Sequence, residues 1–196
     1  MQTYSHIILT ALLNQKLQTQ PHVPVHSRAF LVGAFAPDIA LGILTGQFLI
    51  KRRLAGSESV WCGEEFNSIF FSNPVWIISH NLLHAPLLLV CLMMLGYVAG
   101  SSWHKTWGWT LLWFAVGCGI HTLIDIPTHH DDGPLVLFPI DGKLRFKSPI
   151  SYWDRRHGAW FIAPIEHLLD ILMLVYLLGI VLGKRQQKNA QSSYKT

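Results

Sequence analysis

Charge is what this chain has least of. Only 13% of its 196 residues are Asp, Glu, Lys or Arg, while 51% are hydrophobic. A soluble domain is about one-quarter charged, and half that share cannot coat a surface facing water. The shortage excludes an ordinary soluble globule and points to lipid as the solvent, as does the mean hydropathy of +0.32. The net charge of +4 is too small and too dispersed for a nucleic-acid footprint, so no nucleic-acid partner is expected. Cysteine is sparse as well. Cys62, Cys91 and Cys118 are odd in number and form no CxxC pair, which argues against a disulfide framework or a thiolate zinc ribbon. The N-terminal stretch lacks a basic n-region, and its apolar run at 7–13 gives way to Asn14-Gln15-Lys16, so no cleavable signal peptide is expected. No internal repeat or low-complexity segment is present.

What is abundant is apolar length, with eight Trp and five Tyr of the kind that favour membrane interfaces. A membrane-spanning helix needs about 20 mainly apolar residues. Three segments qualify: 74–99, 107–126 and 160–182. Residues 3–17 predict a helix with Thr3 or Ser5 as N-cap. Residues 29–50 are apolar but contain Gly33, Pro37, Asp38, Gly42 and Gly46, which predicts a re-entrant pair of half-helices or a broken fourth segment. Residues 51–73 and 128–158 read as polar loops. The expected architecture is all-α: an integral, multi-pass helical bundle in a bacterial-type inner membrane. It has one membrane-embedded domain over 1–183 and a disordered basic tail over 184–196.

The few ionisable residues inside apolar segments are not scattered. His80 and His84 open the first expected span, His121 and Asp125 close the second, and Glu166, His167 and Asp170 open the third. Counting spans puts all three groups at one membrane face, together with both long loops. Each is costly in lipid, about 2.5–3.5 kcal/mol for Asp, unless the groups face one another. His80/His84, His121/Asp125 and Glu166/Asp170 are i, i+4 pairs, so each pair shares a helix face. Pro86 disfavours helix at Ala85 and threatens the first of these. Imidazole and carboxylate are ligands for zinc, and carboxylate-rich sites also suit manganese or iron. The His129-His130-Asp131-Asp132 run in the second loop is also capable of binding metal. His22, His26 and His104 are read as structural or solvated.

Several motifs, in order along the chain, carry a resemblance. Ser5-His6 opens the first helix. Gly33-Ala-Phe-Ala-Pro37-Asp38 and Ser79-His80-Asn-Leu-Leu-His84 follow. The most specific stretch is Gly119-Ile-His121-Thr-Leu-Ile-Asp125 with Thr128 and Gly133-Pro-Leu-Val-Leu-Phe-Pro139. Together they resemble the membrane-bound metal-dependent hydrolases, a family with a distant likeness to the all-α zinc phospholipase C and nuclease fold. The chain departs from that pattern at Asn81, where the family has Arg, and at Leu83-His84-Ala85, where it has Thr-His-Ser. The resemblance implies a divalent metal site, one ion or a pair, formed by His6, Asp38, His80, His84, His121 and Asp125.

The expected activity is metal-assisted hydrolysis of a phosphoester or other ester in an amphiphilic substrate such as a phospholipid. Glu166 is the candidate general base and Asp131 a second catalytic candidate. Asp132, His157 and Asp170 are expected to support the ligands, and Gly133–Pro139 to form a lid. Two rivals belong to other classes: a proton or ion conductor, and a non-catalytic protein whose polar cluster braces its helices. Haem ligation fits poorly, because no span carries two His several turns apart. If 29–50 enters and returns, ten Lys/Arg lie on the site side and five opposite, which predicts a cytoplasmic site.

Overall fold

The computed structural model describes residues 1–20, 24–56 and 63–193, with side chains to residue 187. His22 and Cys62 lie outside the described residues. Seven α-helices are present among these: α1 (Thr3–Gln18), α2 (Ser27–Leu54), α3 (Gly63–Ser72), α4 (Pro74–Asn81), α5 (Pro86–Ser101), α6 (Thr106–Asp125) and α7 (Ala159–Ser193). Three stretches are long and apolar enough to cross a membrane, Ser27–Leu54, Thr106–Thr128 and Ala159–Gln187, and α4 with α5 forms a further pair bent by 48°. The all-α bundle expected from the sequence is therefore present, although the interrupted segment is a different one.

Residues 29–50 are not broken. They belong to α2, a single 28-residue helix that contains Pro37. The break falls instead inside the expected span 74–99. There α4 stops at Asn81, Ala85 is extended (φ −69°, ψ 119°), and Pro86 restarts the chain at the first turn of α5. The two prolines differ in context. Pro86 sits where its missing N–H costs nothing and its ring forces the preceding residue out of helix. Pro37 sits in a helix interior, where it removes one amide and crowds the carbonyl four residues back. That turn is supported by α6: the Ala34 carbonyl accepts from His121 Nδ1 at 2.8 Å.

Small residues set how close the helices come. A Cβ on Gly33 would strike the Phe114 carbonyl, and one on Gly117 the Phe30 carbonyl. Backbone-to-backbone packing of this kind is how membrane helices associate when lipid and side chains are equally apolar. Gly33 faces 114–118, and Asp38 lies at His121, so α2 and α6 run parallel. Gly96 faces Gly108 and Leu112, so α5 is antiparallel to α6. Along α1 and α7, Ser5 meets Glu166 and Asp170 while Gln15 meets Lys184, so these two run parallel and away from the site end. The start of α1, the start of α5 and the end of α6 thus meet at one level, with Asp38 from the middle of α2. Past that level α2 continues against α3 and α4, where Phe48, Phe70 and Trp76 form a small core. Residues 51–73, read as a loop, therefore include helix α3.

Two further expectations change. Neither Thr3 nor Ser5 caps α1; Gln2 holds the cap position without a side-chain bond, and both hydroxyls reach other helices instead. Because α2 crosses rather than returns, Lys16 and Arg28 move to the end opposite the site. With Lys188 and Lys195 counted by sequence, the Lys/Arg balance becomes eight against seven, and the charge basis for a cytoplasmic site disappears. The third apolar helix runs past 182 to Ser193. Its outward residues, Leu168, Ile171, Leu172, Val175 and Leu178 among them, are exposed, as a lipid-facing surface requires.

Candidate metal centre

Four of the six residues implied as ligands converge. One ligand atom from each of Asp38, His84, His121 and Asp125 lies within 4.8 Å of the other three. The Nε2 atoms of His84 and His121 are 3.1 Å apart. Asp38 Oδ1 is 3.4 Å from both, and Asp125 Oδ2 is 3.0 Å from His121 Nε2 and 3.8 Å from His84 Nε2. The two imidazoles are fully enclosed and Asp125 nearly so.

Local structure dictates which nitrogen faces inward. His84 Nδ1 donates to the His80 carbonyl at 2.6 Å, in the turn left open where α4 ends. His121 Nδ1 donates to the Ala34 carbonyl at 2.8 Å, within reach because Gly33 and Gly117 let the backbones touch. With both Nδ1 protons so committed, each ring in its neutral form turns an Nε2 lone pair toward the same point. In that form two lone pairs 3.1 Å apart repel, as do two carboxylates beside them. A shared cation relieves both repulsions, so the donor set fits a divalent metal.

The other implied ligands adjoin this group. His6 Nε2 stands 3.0 Å from Asp125 Oδ1, and its ring stacks on His121 at 3.7 Å. His80 stacks on His84 at 4.7 Å. Both His80 ring nitrogens are buried and without a hydrogen-bond partner among the described residues. Thr3 Oγ1 donates to Asp38 Oδ2 at 2.5 Å, which aims the other oxygen inward. His129 Nδ1 lies 3.0 Å from the Asp125 carbonyl.

The remaining candidates sit apart from the convergence point in their contacts. Glu166 and Asp170 both meet the Ser5 hydroxyl, at 2.6 and 2.7 Å, and Glu166 also accepts from the Gln2 amide at 2.7 Å. They fasten α1 to α7. Asp131 faces His130 and Lys147 on the loop. His157 stacks on His130 at 3.7 Å and bonds Asp154 at 3.0 Å; the Arg156 guanidinium beside Asp154 holds that carboxyl well below the usual range. Asp132 lines a cavity of about 860 Å³ that also reaches Asp38, His80, His84, Asp125 and His129. The Asn81 departure has a structural role. Its buried side chain bonds the Ile77 carbonyl and accepts from the Leu135 amide, both at 2.7 Å, pinning the 128–158 loop at Leu135.

Sequence reasoning missed the tasks of Thr3 and Ser5. A hydroxyl beside the motif histidine, on a helix with no need of it as a cap, was the available signal. No curated protein and no solved structure matches the chain. Over residues 1–190 it matches the family described as YdjM inner membrane protein, and it belongs to that family.

Proposed function

We propose that this multi-pass inner-membrane protein of the YdjM family is a metal-dependent hydrolase acting on a phosphoester or other ester of an amphiphile at the membrane face. The observation that carries the reading is the paired orientation of His84 and His121, each with Nδ1 spent on a carbonyl and Nε2 turned to a point flanked by Asp38 and Asp125. Zinc suits two imidazoles and two carboxylates, and manganese or iron accept the same set. When bound, such an ion supplies Lewis acidity, lowering the pKa of water to about 7 and polarising the ester or phosphoryl oxygen.

The chain's own residues supply position. Thr3 and the Met1 amino group donate to the two carboxylates, His6 lies against Asp125, and the His80 and Ala34 carbonyls orient the two rings. The motif resemblance to membrane-bound metal-dependent hydrolases implies these four ligands together with His6 and His80. Glu166 and Asp131 are the catalytic carboxylates that the sequence suggests. Glu166 Oε1 accepts from Ser5 and Gln2 while its Oε2 has no partner among the described residues, and Asp132, which lines the cavity beside the cluster, joins Glu166 and Asp131 as a candidate proton acceptor.

Bracing is the second reading, favoured by the bonds that tie α1 to α2 through Thr3–Asp38 and to α7 through Ser5. A transmembrane proton relay lacks carriers: residues 86–103, 106–120 and 171–183 contain no Asp, Glu, His, Lys or Arg. Turnover separates the readings. Purified protein is assayed on phosphoesters and carboxyl esters of several chain lengths. Hydrolysis abolished by chelator, restored by zinc or manganese and lost in Asp125→Ala is the expected result. Metal-loaded protein inert on every ester would leave bracing.

A further inference from the structure

The cavity beside the cluster has two chemically distinct ends. One end is polar, formed by Asp38, His80, His84, Asp125, His129 and Asp132. The other runs along α2 past Asp38 and is mainly apolar, lined by Leu41, Gly42, Gly46, Leu49, Phe66 and Phe70, with Thr45 and Asn67 as its polar members. Positions 38, 42, 46 and 49 share one face of α2, and 11 residues of helix make a trough of about 16 Å. Gly42 and Gly46 leave it open, since a Cβ at either would meet no atom within 4 Å. At the polar end His80 is 7% exposed, lines the cavity and has both ring nitrogens unpartnered among the described residues, so the wall there holds unmet polar capacity.

We propose that this trough seats the acyl or alkyl chain of the amphiphile, with its phosphate or ester head at the cluster. The inference rests on the hydrolase reading for the position of the head. It accounts for two glycines on that face of α2 where an added Cβ would meet no other atom. A volume of about 860 Å³ lies within the range of small-molecule sites, about 300–1,000 Å³, and suits one chain of moderate length rather than a two-chain lipid.

The test uses the full chain in lipid nanodiscs and a dodecyl phosphate carrying a diazirine on its terminal carbon, with labelled residues mapped by mass spectrometry. Label on Leu49, Phe66 or Phe70 is expected in the wild type. Gly46→Phe, and independently Gly42→Leu, should cut that label at least tenfold while metal content stays unchanged, which also shows that each variant folds. Label confined to lipid-facing residues such as Val175 and Leu178, or trough label indifferent to both substitutions, would overturn the inference. Trough label without turnover of any ester would keep the chain site and remove the hydrolase reading. Turnover of a short-chain ester with no trough label would do the reverse.

Discussion

His84 and His121 bring their Nε2 atoms to 3.1 Å of each other while each gives its Nδ1 proton to a main-chain carbonyl. That relationship turns two ring nitrogens toward one point, beside an Asp125 carboxylate whose Oδ1 accepts from the Met1 amino group at 2.9 Å and whose Oδ2 faces the rings. It depends on two backbone features, a helix break before Pro86 and a glycine contact between α2 and α6, neither of which is itself a ligand.

The glycine contact is testable without touching a donor. Gly33→Leu places a side chain against the Phe114 carbonyl and should force α2 from α6, pulling the Ala34 carbonyl away from His121. The expected result is loss of bound metal together with a lowered thermal midpoint in detergent, whereas Gly179→Leu, where a Cβ meets nothing, should change neither.

Thr3 aims Asp38. Replacing it with Ala frees the carboxylate to rotate, and outer partners of metal ligands are worth about 10–100-fold in affinity. Chelator competition should show a weakening of that order, with Thr3→Ser close to wild type. An unchanged affinity would mean that Asp38 is held some other way.

Ser5 separates two buried carboxyls. Ser5→Ala leaves Glu166 and Asp170 facing each other with no bridging hydroxyl, and unmet buried groups cost about 1–3 kcal/mol or more when charged. Faster hydrogen exchange in α1 is expected, with the metal content of the folded fraction unaltered.

Asn81 ties the loop down. Asn81→Leu removes the acceptor for the Leu135 amide and the donor to Ile77, at a cost of about 1–3 kcal/mol. Limited proteolysis should then cut within 128–158 sooner than in the wild type.

Much of this site was readable before the fold. His121 and Asp125 share a face because a helix repeats every 3.6 residues, and counting apolar segments put His84, His121 and Glu166 at one end. Two things were not local. Pro37 reads as a breaker, and only the packing of α6 against that turn shows why α2 continues through it. The pairings Thr3–Asp38 and Ser5–Glu166 span 35 and 161 residues, a separation that no periodicity records. The trough was hidden for a related reason: Gly42 and Gly46 look like interruptions until α3 is folded back over them.

Asp38, His84, His121 and Asp125 are the residues proposed to hold a divalent ion. Metal analysis of the detergent-purified wild type beside His84→Ala, His121→Ala and Asp125→Ala tests that assignment most directly. About one ion per chain is expected in the wild type, with its loss in all three variants. Folded wild type without stoichiometric metal, even after incubation with zinc, manganese and iron, would contradict it.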